Sequence, residues 1–197
     1  MRAQGAESTP TKCCIAIASH PKPQTRPTTK EIAMHPNSIT QLITYTFWAD
    51  LRVLQTCTQV TPAQFVQPVT PDPGWHSLRG TLVHALDTAY GWRMALMEVA
   101  ESDKFNETDF ADVASLTTRW RAEQTAWLEY MATLTEADLN AVWWQHEHSQ
   151  RTRWQTIMHV VNDLTHHRSE AAAMLTGFGH SPGELDFDLF VVDGMNN

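Results

Sequence analysis

Apolar residues recur at helical spacing along four long stretches of the chain, and this pattern predicts four long α-helices. We place these helices at about 38–59, 77–101, 109–134 and 152–176. Breaking signals separate them: Thr61-Pro62 follows the first stretch, and Gly177 follows the fourth as its expected C-terminal glycine. Residues 141–153 alternate only loosely between polar and apolar, and a short hairpin is one interpretation of that segment.

Four long helices with little convincing strand predict an all-α fold, an antiparallel four-helix bundle that ends in a short irregular C-terminal segment. Residues 1–36 lack the helical period and are rich in Thr, Pro, Ser and Lys, so we expect a disordered N-terminal tail. The bundle domain then covers 37–197. Met34 resembles a natural start for the domain, so residues 1–33 are interpreted as a mis-assigned start or an added leader, with a targeting peptide as the alternative.

The overall charge and the cysteine content exclude several classes of protein. A net charge of -8 argues against nucleic acid or an anionic membrane as a partner. No apolar run approaches the ~20 residues of a membrane span. Cys13, Cys14 and Cys57 are too few for a disulfide framework or a cysteine zinc site, which indicates a reducing, cytoplasmic compartment. Cys57 is expected to be a small core residue rather than a nucleophile.

The fourth predicted helix carries the most informative polar pattern. His159, Asp163 and His167 follow one another at steps of four, each a turn of about 400°, so they share one helix face. Ionisable groups beside a packed core are costly unless hydrogen bonds or a metal ion pair them. The same spacing also occurs on solvated faces, where an ion pair is worth under ~1 kcal/mol. This stripe of His159, Asp163 and His167 is therefore compatible with a metal site and with a solvated helix face.

His84 lies among apolar residues of the second predicted helix and is expected to point at or near the bundle interior. Taken alone, it is interpreted as a core histidine with a hydrogen-bonded neighbour. Taken with the fourth helix, it completes a candidate metal site, because bundle-core metal sites take their ligands from facing helices. The predicted ligands are His84, Asp163 and His167, which would leave coordination positions for water or substrate. His159 is a second candidate ligand, or a residue that lies outside the metal ligands and contacts one of them.

Other polar residues are weaker candidates. His166 is expected to face another helix or solvent, whereas Arg168 and Glu170 are expected to brace the site or cap neighbouring helices rather than bind metal. The cluster His146-Glu147-His148 shares one side only if it forms a strand. The sequence contains no phosphate-binding glycine loop, dinucleotide fingerprint or nucleophile elbow.

Three segments occur in a diagnostic order. They are Tyr45-Thr-Phe-Trp48-Ala49-Asp50, then Ser77-Leu-Arg79-Gly-Thr-Leu82-Val-His84, and last the run from Trp154 to Glu170 followed by Gly179 to Asp186. In these segments the chain resembles the DinB/YfiT-like family of metal-dependent bundle proteins, over most of residues 38–190.

The resemblance implies a four-helix bundle with a metal bound by three histidines, one from the second helix and two, spaced by four, from the fourth. Carried over, these positions are His84, 163 and His167, and the chain departs from the pattern because position 163 is Asp. Aspartate still binds divalent metals. The implied cofactor is a divalent metal ion, zinc or nickel foremost, with iron or manganese as alternatives.

The resemblance also implies a class of reaction. The metal would activate a low-molecular-weight thiol or water against a small electrophile, so the chain would be a thiol S-transferase or a hydrolase. The partners implied are a small-molecule substrate or thiol, with no nucleic acid and no membrane. The alternative is a non-catalytic, metal-stabilised or dimerising stress-response scaffold, and a homodimer is compatible with either function.

Overall fold

A computed structural model describes residues 33–99, 104–146 and 149–192 of the chain. In chain order its elements are α1 (Pro36–Cys57), α2 (Pro62–Val66), α3 (Leu78–Leu96), a 3₁₀ turn (Glu107–Asp109), α4 (Val113–Thr133), α5 (Glu136–Asn140), β1 (Val142–His146), β2 (Ser149–Thr152), α6 (Arg153–Gly177) and α7 (Phe187–Val192). The long helices α1, α3, α4 and α6 correspond to the four predicted helices, so the all-α prediction is confirmed. The predicted tail falls almost wholly on residues 1–32, which lie outside the described residues.

The helix starts follow from side-chain caps encoded in the sequence. Ser77 accepts a hydrogen bond from the backbone of Gly80 at the start of α3. Thr152 and Gln155 form a capping box at the start of α6, which satisfies backbone groups that a helix end would otherwise leave unpaired. Thr61 caps α2 in the same way, so Thr61-Pro62 begins a new short helix as well as following α1.

Two predicted helix ends were wrong. α6 continues through Gly177, and its left-handed residue is Gly179, with a φ of 89°. The backbone N–H of Gly179 donates to Thr176 O at 3.0 Å, and the N–H of His180 donates to Leu175 O at 2.9 Å. This pair of bonds is the Schellman motif, which places the terminating glycine one residue beyond the cap.

The second wrong helix end is that of α3. This helix ends at Leu96 rather than near residue 101, and Glu98 takes a φ of 58°. That left-handed conformation cannot continue a helix of L-residues.

The bundle is organised around α6, which packs on both α1 and α3, while α4 packs on α1 and α3 from the other side. Apolar faces of these four helices make one core, whose largest fully buried members are Trp120, Trp127, Phe47, Ile39 and Ile43. The indole N–H of Trp127 donates to Ala89 O at 3.1 Å, so its polar edge is satisfied inside that core. None of the helices in the described ranges is long and apolar enough to cross a bilayer.

The segment for which the sequence pattern left a hairpin open contains two paired strands. Strands β1 and β2 pair in antiparallel fashion, with Gln145 opposite Gln150 and an irregularity between Val142 and Trp144. β2 ends at Thr152, which is also the capping residue of α6. The hairpin interpretation is therefore supported by the pairing of its two strands.

Arg168 ties α6 to α1 through a buried ion pair. Its Nη1 donates to Asp50 Oδ1 at 3.0 Å and to Thr46 O at 3.3 Å, and its Nη2 donates to Thr165 Oγ1 at 2.9 Å. Asp50 Oδ2 has no hydrogen-bond partner among the described residues. Burial therefore outweighs the attraction of Arg168 and raises the pKa of Asp50 to about 6.

Replacing Asp50 by Asn tests this balance through the pH dependence of stability. Between pH ~4 and ~6 the folded protein keeps the Asp50 proton, whereas the unfolded chain, with a pKa of 3.8, has lost it. Unfolding then releases a proton, so we expect the stability of wild type relative to Asp50→Asn to fall as the pH rises. The total fall should be about 3 kcal/mol. Urea unfolding of both proteins from pH 4 to pH 7 measures it, and a relative stability that rises over this range contradicts the assignment.

Candidate metal centre

His84 lies in the second turn of α3, where it is half-buried and covered by Trp75. The two rings are stacked, with centroids 3.4 Å apart and an angle of 12° between their planes. Thr88 Oγ1 lies 3.5 Å from His84 Nε2, which is long for a hydrogen bond. The core histidine expected from the sequence is therefore held mainly by stacking on Trp75. Its ring nitrogens make no shorter hydrogen bond to any of the described residues.

The loop of residues 67–77, between α2 and α3, holds Trp75 in this position. Asp72 Oδ1 accepts hydrogen bonds from the backbone N–H of Gly74 at 2.8 Å and of His76 at 2.9 Å. The backbone of Trp75 also passes so close to α3 that a Cβ at Gly80 would lie 2.0 Å from Trp75 O. Glycine is therefore required at position 80 for Trp75 to reach His84.

Of the three residues predicted as metal ligands, His167 contacts each of the other two. His84 of α3 and His167 of α6 have ring centroids 4.6 Å apart, with the rings perpendicular. One turn before His167 on the same helix, Asp163 places Oδ2 3.9 Å from His167 Nε2. Trp75 also contacts His167 edge-on, at 6.2 Å between centroids. Two helices and one loop therefore converge on a single cluster.

Glu170 joins this cluster from the other side of His167. Its Oε2 lies 2.8 Å from His167 Nδ1, and its Oε1 lies 3.0 Å from His166 Nε2. With Nδ1 of His167 engaged by the carboxylate, Nε2 is left as the nitrogen that faces Asp163. Glu170 therefore contacts His167, and the expectation that it braces a metal site stays a prediction.

Among the described residues, the three potential ligands whose ligand atoms all lie within 4.8 Å of one another are His166, His167 and Glu170. The predicted set of His84, Asp163 and His167 does not meet that distance, and the two groups share His167. The side chain of His166 is 67% exposed, and Glu170 accounts for the short distances, because its carboxylate is hydrogen-bonded to His167 and lies 3.0 Å from His166 Nε2.

Electrostatics favour a neutral His84. Burial is the largest effect and lowers the pKa of His84, and the neighbouring His167 lowers it further. Asp163 and Glu170 act in the opposite direction but do not reverse the shift. At neutral pH the imidazole of His84 therefore retains a lone pair that can bind a metal ion.

His159 is not part of the cluster that contains His84 and His167. Its exposed ring meets Trp92 edge-on at 5.2 Å between centroids, two turns of α6 away from His167. In the cluster His146-Glu147-His148, residues 147 and 148 lie outside the described residues, so its interpretation stays a prediction. Cys57 is buried in the core as expected, and burial raises the pKa of its thiol to about 12, which excludes it as a thiolate nucleophile.

Trp75 is the residue at this site that the sequence analysis missed. A signal was present, because Pro73-Gly74-Trp75 precedes the cap of α3 and a glycine follows at position 80. An aromatic residue between a turn and a helix cap can lie back on that helix, but the sequence does not show which side chain it covers.

Replacing Gly80 by Ala should displace Trp75 from His84. The new methyl group would overlap Trp75 O, and relieving such an overlap costs roughly 1–3 kcal/mol. Gly177→Ala is the matched control, because nothing lies within 4 Å of a Cβ there, and alanine in a helix should be neutral or stabilising by up to about 1 kcal/mol. Chemical unfolding measures the change in stability of both variants. Faster modification of His84 by diethylpyrocarbonate in Gly80→Ala would show that Trp75 no longer covers its ring. Equal stability of the two variants contradicts the close approach.

Comparison with known proteins gives a family and a fold. The sequence model of the DinB family matches residues 34–192. Among solved structures the chain is similar to a DinB-like protein from Bacillus cereus ATCC 10987, with a TM-score of 0.59 and 16% identity, over 75% of this chain and 95% of that one. At this identity the likeness shows the fold alone. No protein of curated function matches the chain.

Proposed function

This chain belongs to the DinB family, and we propose that it binds one divalent metal ion through His84, Asp163 and His167. The observation that carries the proposal is the meeting of His84 from α3 with His167 from α6, at 4.6 Å between ring centroids. These residues are far apart in the chain, and each lies on a helix face that also carries core residues. Ligands from facing helices are the usual way in which a bundle builds a metal site.

The donor types suit a metal ion, and one pair is already spaced for it. Ligand atoms about 2.0–2.2 Å from a shared zinc ion can be at most about 4.4 Å apart, and His167 Nε2 and Asp163 Oδ2 are separated by 3.9 Å. His84 completes the set only after a side-chain movement, because the ligand atoms of His84, Asp163 and His167 do not all lie within 4.8 Å of one another. Glu170 holds His167 by its other nitrogen, in the manner of the outer carboxylates that orient metal-bound histidines. Two imidazoles and one carboxylate suit zinc, nickel, iron or manganese, so the donor set does not select one of them.

The group formed by His166, His167 and Glu170 is the less favourable of the two. All three residues lie within a little more than one turn of α6, so the group takes no ligand from a facing helix. Glu170 already contacts both rings, and a metal would have to displace these contacts while ordering the exposed side chain of His166. Removing His84 or His166 separates the two possibilities, because His167 is common to both.

We expect His84→Ala and His167→Ala to lose stoichiometric zinc and nickel binding, whereas His166→Ala, the matched control on an exposed neighbour, retains it. Asp163→Ala should weaken binding more than about 100-fold, beyond the 10–100-fold typical of a residue outside the ligand set. Asp163→His restores the three-histidine set implied by the family resemblance and should bind at least as tightly as wild type. Elemental analysis after dialysis and competition with a chelator measure these affinities. Loss of binding in His166→Ala with retention in His84→Ala would assign the ion to the other group.

The reaction that we propose for this site is activation of a low-molecular-weight thiol or of water against a small electrophile. A metal ion bound here would lower the pKa of the bound thiol or water, which makes it a nucleophile at neutral pH. Within the protein, Glu170 orients His167, and Trp75 covers one face of His84 and keeps water from it. Cys57, the cysteine among the described residues, is buried in the core, and the thiol that we propose belongs to a small molecule.

A catalytic role predicts metal-dependent turnover. With zinc or nickel bound, we expect the protein to accelerate the reaction of L-cysteine with 1-chloro-2,4-dinitrobenzene, in which the thiolate replaces the chlorine and chloride and a proton are released. Absorbance follows the thioether product, and His167→Ala should abolish the acceleration. His166→Ala serves again as the control and should remain active. The observation that favours a non-catalytic scaffold is Trp75, which lies flat against His84 and restricts access to it. A large fall in melting temperature with chelator, together with no turnover of thiol or ester substrates, would establish the scaffold instead.

A further inference from the structure

A cavity of about 470 Å³ lies between the loop 67–77 and the C-terminal half of α6. Its volume falls in the range of small-molecule sites, about 300–1,000 Å³. Most of its walls are apolar: Pro68, Val69, Pro71 and Pro73 contribute from the loop, Met174 contributes from α6, and Phe178 follows directly after that helix. Of the described residues that line it, Glu170 is the one that carries a charge.

The cavity adjoins the candidate metal centre on both of its walls. On α6, Glu170 lines the cavity and also lies 2.8 Å from His167 Nδ1. On the loop, Pro73 lines the cavity, and two residues later Trp75 covers His84. A molecule in the cavity would therefore have its inner end beside the residues that hold the proposed metal ion.

We propose that this cavity binds the apolar part of a neutral small-molecule substrate, whose reactive end is directed toward His167. The proposal rests on the proposed function for the identity of the reactive end, and on the cavity alone for the class of ligand. A carboxylate at the inner end, in a chain with a net charge of -8, disfavours anionic ligands. The proline-rich wall offers few hydrogen-bond donors, because proline has no backbone N–H. An uncharged, largely apolar molecule is the class that these walls can accept.

The cavity can be filled from either wall without disturbing the core. Ala173 lines the cavity and is exposed, so Ala173→Phe would place a ring in it. Gln67 lines the cavity from the loop and is also exposed, so Gln67→Phe does the same from the opposite side. Thr176 is exposed on the same helix and lies outside the lining, which makes Thr176→Phe a matched control.

The probe is N-phenyl-1-naphthylamine, a neutral apolar dye that fluoresces when it leaves water. Wild type and Thr176→Phe should bind one dye per chain, whereas Ala173→Phe and Gln67→Phe should bind it at least tenfold more weakly. Metal uptake, measured separately, should be unchanged in all three variants. Equal dye binding in Ala173→Phe, Gln67→Phe and wild type overturns the proposal. The proposal is also overturned if the amount of dye bound per chain falls as the protein concentration rises. That result would mean that a second copy of the chain occupies the cavity.

A second measurement tests the position of the dye relative to the metal centre. In protein loaded with cobalt(II), the NMR signals of the bound dye should broaden more than in protein loaded with zinc. If the protein takes up no metal but the dye still distinguishes Ala173→Phe from Thr176→Phe, the proposed function fails and the cavity assignment stands. If metal is bound and cobalt leaves the dye signals sharp, the cavity is not the substrate site and the proposal fails while the metal centre stands.

Discussion

The buried ion pair between Arg168 and Asp50 sets the rotation of α6 in the bundle. A guanidinium group buried between helices must keep its partners, because breaking one buried pair costs roughly 3–5 kcal/mol. Arg168 meets this requirement only when its face of α6 is turned to α1, where it contacts Asp50 and Thr46. His167, the preceding residue, lies about 100° around the helix. Holding Arg168 against α1 therefore presents His167 to α3, and the candidate metal centre follows from that orientation.

A second buried charge holds α3 on the opposite side. The carboxylate of Glu123 on α4 is fully buried and accepts two bonds from Arg93 of α3, at 2.6 and 3.0 Å, and one from Arg119 at 2.9 Å. This arrangement constrains the rotation of α3 as Arg168 constrains α6. His84 and His167 are thus held from two directions.

Much of the fold was predictable because helices are encoded locally. The apolar period identified all four long helices, and caps such as Ser77 and Thr152 marked their starts. The ends were less certain, since Gly177 and Gly179 carry the same local signal and only the hydrogen bonds of the Schellman motif distinguish them. The end of α3 was missed because nothing in the sequence indicates the left-handed conformation of Glu98.

The candidate site, like the fold, has features that the sequence determined and features that depend on tertiary packing. By itself the sequence determined that His159, Asp163 and His167 share a helix face, because that relation depends only on the helical repeat. The tertiary structure decided which neighbours these three residues have: His167 meets His84, Asp163 lies beside His167, and His159 lies against Trp92. It also decided that Trp75 covers His84 and that Glu170 holds His167. These contacts depend on how the helices are rotated and how the loop 67–77 packs, and both are set by buried charges and close approaches between distant parts of the chain.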